Sequence, residues 1–288
     1  MARLLNEILK QRFPGAKATT LRRMLANGRV TVNGRPVVKW NLLLADADKV
    51  EINDPEKKPA PEAPGIEPLK IVFEDRDLLV VNKPVGLLTS TVPGEKRPTA
   101  LALLDRYLLF TEPKARIGLV HRLDRDAAGL LVFSKNEMTF ESLKTQFFRH
   151  TCERQYMAVV HGTLTPPDGR IESMLVELPD GTVRQSRRDG HGQKAVTDYA
   201  TIAREGRFSL VRVTLQTGRK HQIRRHLLDR GCPIVGDRVY GPPTSVDRLM
   251  LAAVRLGFVH PRSQQDVRFE MEMPFPFPPV MAGANVPA

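Results

Sequence analysis

The stretch Asn53 to Pro68, NDPEKKPAPEAPGIEP, sets the main limit on how this chain can fold. Its five prolines and alternating charges leave too little apolar material for a packed element, so it reads as a linker. It divides 288 residues into a small piece, residues 1–52, and a large one, residues 69–288, as expected of a chain about twice the usual domain size.

The small piece predicts two helices and a hairpin. Leu4, Leu5, Ile8 and Leu9 recur at helical spacing, and a second helix is expected from a Thr19 or Thr20 cap to a stop at Gly28. In VTVNGRPVV, Asn33 and Gly34 suit a tight turn between alternating apolar positions. Ten basic residues against four acidic ones leave this piece at +6, half of the whole chain's +12. Arg22, Arg23 and Arg29 cluster on and after the second helix and are the candidate RNA contacts.

The large piece predicts strands at Ile71–Phe73 and Leu78–Val81 around the turn EDRD, then a loop, NKPVGLLTS. Helices are expected from Thr99 to about Phe110 and from Glu137 to Phe148, the second burying Met138, Leu143 and Phe147. Tyr156–Val160, Thr197–Ala203 and Phe208–Leu215 read as strands, with a Gly- and Asp-rich loop region before Thr197. Its Arg184, Arg187, Arg188 and Lys194 are available to RNA backbone. Regular βαβ alternation is missing, so the expected class is α+β with a mixed, largely antiparallel sheet.

The charge balance, with a pI near 10, points to a polyanionic partner. No apolar stretch approaches a spanning helix, and the start MARLLNEILKQRF is too polar for a signal peptide. The expectation is a cytoplasmic protein without membrane contact. Cys152 and Cys232 are too few for a disulfide framework and too far apart for a zinc site, so reduced structural thiols are expected.

Two stretches carry chemistry. In VHRLDRDAAGLLVFSK, Val120 to Lys135, a charged cluster connects two strand-like segments, and Gly129 suggests a bend or a close backbone approach. Taken alone, a carboxylate between Arg122 and Arg125 reads as a structural ion pair locking a turn rather than as a site. In LQTGRKHQIRRHLLDRG, Leu215 to Gly231, a strand ends at a Thr-Gly turn and a basic helix follows. Ile223 and Leu227 share one face of it, with His221 and Arg224 on an adjacent face. His221 and His226 are five apart, which places them on different faces and argues against a metal site.

Together these segments resemble the HRLDxxTSGLLV and TGRxHQIRxH motifs of the RluA family of pseudouridine synthases. NKPVGLL, RQYMAVVHG, PIVGDRVYG and LMLAAVRLGFVHP resemble further segments of that family, so the likeness covers most of residues 70–262. The small piece is similar to an S4 RNA-binding domain, carried by GRVTVNGRPV, with Ala47-Asp48 where Gly-Asp is common. The resemblance implies an RNA uridine isomerase that needs no cofactor or metal. Asp124 would be its catalytic carboxylate, Arg224 the partner of that carboxylate, and Tyr156 a group against the uracil ring. Arg122 would hold the target nucleotide out of the stack and Ile223 would pack on the base, with His121, Arg219 and His221 completing the substrate-binding set. Ala127 and Ala128 replace the family's Thr-Ser, and Ala252 a frequent histidine. Ribosomal RNA is the expected substrate and a monomer the expected state. The alternatives are a transfer-RNA-specific synthase, a non-catalytic RNA-binding or ribosome-assembly protein on the same fold, and a hydrolytic nucleosidase.

Overall fold

A computed structural model describes residues 3–26, 29–52, 65–91, 97–186, 188 and 191–279. The chain divides into two compact units, Met1–Glu62 and Ala63–Ala288. Most of the proline-rich segment, residues 53–64, lies outside the described residues, as do Gly28 and Arg187.

The small unit runs β1 (Arg3–Leu4), α1 (Leu5–Arg12), α2 (Ala18–Ala26), β2 (Val30–Val32), β3 (Arg35–Pro36), β4 (Leu43–Leu44) and β5 (Val50–Ile52). Leu5 and Leu9 of α1 meet Leu21, Met24 and Leu25 of α2 over Val30 and Val50, which closes a core on one face of the antiparallel β3–β2–β5 sheet. Helix α2 begins before the expected threonine cap, because the Lys17 carbonyl already accepts from the Thr20 and Leu21 amides at 2.9 and 3.2 Å. Asn33 and Gly34 turn the hairpin with φ of 50° and 77°, the two positive values a two-residue turn of this hand requires. Asp48 ties that turn down, accepting from Asn33 Nδ2 at 2.8 Å and from the Ala45 amide at 2.7 Å. Arg22 and Arg23 are exposed on α2, with the Arg22 guanidinium 5.2 Å from the Trp40 ring centre, and Arg29 follows the helix.

The large unit runs β6 (Lys70–Glu74), β7 (Leu78–Lys83), α3 (Ala100–Thr111), β8 (Gly118–Leu119), β9 (Ala128–Ser134), α4 (Glu137–Phe148), β10 (Glu153–His161), β11 (Asp168–Glu177), β12 (Val183–Gln185), β13 (Gln193–Glu205), β14 (Phe208–Leu215), α5 (Gln222–Asp229), β15 (Leu251–Val259) and β16 (Asp266–Glu270). They form one mixed sheet in the order β12-β11-β13-β14-β10-β15-β9-β7-β6, with β16 also on β15 and β8 on β9. Every pairing is antiparallel except β15 with β9. The fold is α+β.

Strand β9 is buried along its whole length, which explains the unbroken apolar run AGLLVF. Leu131 and Phe133 join the main core on one face, Leu130 and Val132 the α4 core on the other. Gly129 lies where β9 meets β15: with φ 119°, a Cβ there would stand 2.2 Å from the Ala253 carbonyl oxygen. Ala127 and Ala128 are buried in the main core, and Ala128 faces Ala252 across this parallel pair.

Two expectations are corrected. Met138 is exposed, because the face of α4 turned to the sheet carries Thr139, Leu143 and Phe147 at spacings of four. The region read as loop before Thr197 holds β11, β12 and the start of β13. Only Ile171 and Leu175 are buried along β11, so its mostly polar sequence hid the alternation. Arg184 therefore sits on β12 and Lys194 on β13, where it pairs with Glu172 at 3.2 Å.

Candidate active site

The loop between β8 and β9 is fastened on both sides of Asp124. Thr89 Oγ1 donates to the Leu123 carbonyl at 2.9 Å and accepts from the Leu123 amide at 3.2 Å. Beneath it, the Lys83 ammonium donates to the carbonyls of Pro84, Leu87 and Arg125 at 2.9, 2.7 and 2.9 Å. Burial pushes Lys83 down to about 7, against the opposing pull of Asp124 and Asp126. Arg125 forks onto its neighbour Asp126 at 2.8 and 3.0 Å, so it is not the partner of Asp124. Arg122 is exposed and makes no hydrogen bond or ion pair among the described residues.

The partner of Asp124 comes from α5, one hundred positions along the chain. Arg224 Nη1 reaches Asp124 Oδ2 at 3.4 Å, while Nε and Nη2 fork onto Asp237 at 2.8 and 2.7 Å. Asp237 has no exposed side-chain surface and also accepts from the Val239 and Tyr240 amides at 2.9 and 3.0 Å. Its burial would raise the carboxyl, but Arg224 and the two amides outweigh that and hold it below the usual carboxylate range. The rigid, paired guanidinium thus offers one remaining edge to Asp124.

The sequence QIRRH divides its work by helical position. Gln222 locks the Thr-Gly turn: Oε1 accepts from Thr217 Oγ1 at 2.8 Å and the Arg219 amide at 2.9 Å, and Nε2 donates to the Val196 carbonyl at 3.0 Å. His226, four residues on, is clamped between Thr197 Oγ1 at 2.8 Å and Ser173 Oγ at 2.9 Å, and its burial pushes it down to about 4. Those two face the sheet, Ile223 and Arg224 face the cleft, and Arg225 pairs with Asp229. His221 is not a regular helical position: it precedes α5 in a left-handed conformation, φ 51°, with Nδ1 2.8 Å from the Tyr240 hydroxyl.

Tyr156 approaches from β10, opposite a register shift in which Val254 bulges out of β15. Its burial pushes the phenol up to about 12, Arg154 opposing and Asp124 reinforcing, so it is a neutral donor at pH 7. Asp124, Tyr156, Arg122, Ile223, Arg219, His221 and Arg224 all line one cleft of about 670 Å³. His121 lines it too, but its Nε2 accepts from the Val132 amide at 3.1 Å and its ring stacks on Phe147 at 4.2 Å. The imidazole that was expected to bind substrate thus holds the loop against β9 and α4. Arg219 likewise spends one donor on the Lys194 carbonyl at 3.0 Å.

Asp237, Tyr240, Lys83 and Gln222 were not among the expected site residues. The signal for the first two was the segment PIVGDRVYG, whose acidic residue had no assigned partner. Asp75, Asp77 and His260 could by distance share a cation, but Arg262 forks onto Asp77 at 2.5 and 2.7 Å and His260 Nε2 lies 2.9 Å from Asp75. Those oxygens are committed to these side-chain contacts and do not suit a metal. Among the described residues no helix is long and apolar enough to cross a membrane.

The RNA pseudouridylate synthase family matches residues 77–229. The RNA pseudouridine synthase YlyB of Bacillus subtilis is 40% identical over 89% of this chain and 86% of its own length. Ribosomal large subunit pseudouridine synthase D of Zymomonas mobilis is 34% identical over 88% and 85% of the two chains. Human RNA pseudouridylate synthase domain containing 4 superposes with a TM-score of 0.59 at 25% identity, over 71% of this chain and 88% of that one. A match over more than half the chain, together with relatives similar over nearly all of it, makes this protein a member of the RNA pseudouridylate synthase family and an RNA uridine isomerase.

Proposed function

We propose that this enzyme converts uridines of large-subunit ribosomal RNA to pseudouridine, with Asp124 as its catalytic carboxylate. The observation that carries the reading is the Asp124–Arg224–Asp237 chain, which aims one carboxylate into a cleft beside Tyr156 and Ile223. The reaction breaks the bond from uracil N1 to ribose C1′ and forms one from C5 to C1′. The C5 proton departs and N1 takes one up, so no redox partner is required. Asp124 acts on the ribose or base during that exchange, and the guanidinium on its Oδ2 fixes where the carboxylate sits. Tyr156 lies against the uracil and Ile223 on its other side. Arg122, exposed and unpaired, enters the RNA to hold the nucleotide out of its stack, offsetting a cost of a few kcal/mol.

Residues 1–52 act as an S4-like RNA-binding domain through Arg22, Arg23 and Arg29, joined by the segment 53–68 to a catalytic domain, residues 69–288, in a cytoplasmic monomer. Relatives from Zymomonas mobilis and Neisseria meningitidis named ribosomal large subunit pseudouridine synthase D support ribosomal RNA over transfer RNA. The test is pseudouridine mapping of ribosomal and transfer RNA from cells lacking the protein, complemented with the normal chain or Asp124→Asn. Large-subunit sites should vanish and return only with the normal chain. Changes confined to transfer RNA would overturn the substrate, and restoration by Asp124→Asn would overturn the carboxylate.

A further inference from the structure

Arg154 is a buried cation that the chemistry above does not use. It stands on β10 two positions before Tyr156, so both side chains leave the strand on one face, and both line the cleft. The residue is only 7% exposed. Its guanidinium lies 5.8 Å from the Phe147 ring centre and gives one long hydrogen bond, 3.4 Å, to the Leu215 carbonyl. Its Nε is buried without a partner among the described residues.

The other buried cations are better provided for. Arg224 has Asp237 and Asp124, Lys135 has Glu74 and Glu112, and Lys83 has three carbonyls. Arg154 has no carboxylate in ion-pair contact among the described residues. Its neighbour Glu153 is held instead by Arg255 at 3.4 Å and Arg268 at 3.0 Å, and the cleft's Glu177 is held by Lys220 at 2.5 Å. A lone guanidinium out of water is costly, yet the surroundings make room for this one: a Cβ on Gly218 would fall 2.6 Å from Arg154 Nη1. The glycine of the Thr-Gly turn keeps that space open.

We propose that Arg154 is the receptor for a backbone phosphate of the uridine drawn into the cleft. The proposal rests on the reading that the cleft takes a uridine. A neutral base would leave the guanidinium uncompensated, whereas a phosphodiester supplies the missing anion and matches the planar fork of donors. Arg219 lines the same cleft and favours an anion there.

The test titrates uridine, uridine 5′-monophosphate and uridine 3′-monophosphate into the full chain and its Arg154→Gln and Arg154→Lys variants. One monophosphate should bind the normal chain about ten-fold tighter than uridine, Arg154→Gln should lose that preference, and Arg154→Lys should regain part of it. With large-subunit ribosomal RNA transcribed in vitro, Arg154→Gln should lower the slope of log affinity against log salt by about one. It should also raise KM with kcat little changed. Because the residue carries an unpaired charge, Arg154→Gln should melt no lower than the normal chain. A retained monophosphate preference, an unchanged salt slope, or a fall confined to kcat would each overturn the proposal. Pseudouridine formation by the normal chain on the same RNA tests the isomerase reading separately: its failure alongside an Arg154-dependent phosphate preference would remove the reaction and leave the anion site.

Discussion

The two units place their positive charge in opposite ways. On the small unit Arg22 and Arg23 stand on an exposed helix face with no carboxylate in ion-pair contact among the described residues. In the large unit Arg224 is almost fully buried and held between two carboxylates. Exposed cations gain affinity for a polyanion by releasing counterions, sum without fine geometry, and are screened by salt. A buried, forked guanidinium does little for affinity but fixes where one carboxylate points. On the function proposed above, the difference separates holding RNA from acting on it, and each side can be tested alone.

The largest expected effect is at the buried end. Arg224→Met leaves Asp237 charged, buried and without its cation, which should cost about 3–5 kcal/mol of stability, read as a lower urea midpoint, together with loss of activity. If the variant were stable and active, the buried chain would not be the organising feature of the site. A smaller effect is expected from His226. Its folded pKa of about 4 is depressed from 6.5, so the unfolded chain binds the extra proton between those values. Stability should therefore be complete above about pH 6.5 and decline as pH falls toward 4, by roughly 3 kcal/mol from this group. His226→Gln should flatten that part of the pH profile in urea titrations. The smallest effects belong to the exposed cations: Arg22→Ala and Arg23→Ala should leave melting almost unchanged and each lower the salt slope of RNA binding by up to about one. A sequence-selective loss in either would mean base contact and would blur the contrast between the units.

What was legible in the sequence follows the same division. The hairpin at Asn33-Gly34, the cap at Thr99 and the extent of α4 are set by local chemistry, and residues 99, 137 and 148 fell where spacing and caps placed them. Strand β11 was missed because it buries only Ile171 and Leu175 among polar neighbours, leaving no clear period. Met138 was misplaced because it lies one position off the buried face of Thr139, Leu143 and Phe147, in line with the polar Ser142 and Gln146. Asp124, Tyr156, Arg224 and Ile223 entered the expected site through a resemblance, and the structure brings them to one cleft. Asp237 and Lys83 stayed hidden because their importance lies in partners elsewhere in the fold: a guanidinium from α5 for one, the carbonyl of Arg125 for the other.

The most direct test is single-turnover pseudouridine formation by Asp124→Asn on large-subunit ribosomal RNA, with RNA affinity and melting temperature measured on the same preparation. The expected result is no detectable product, affinity within about two-fold of the normal chain, and a melting temperature close to it, because Asp124 meets Arg224 only at 3.4 Å while Asp237 keeps the fork. Product formed at the normal rate by a folded, RNA-bound Asp124→Asn would contradict it.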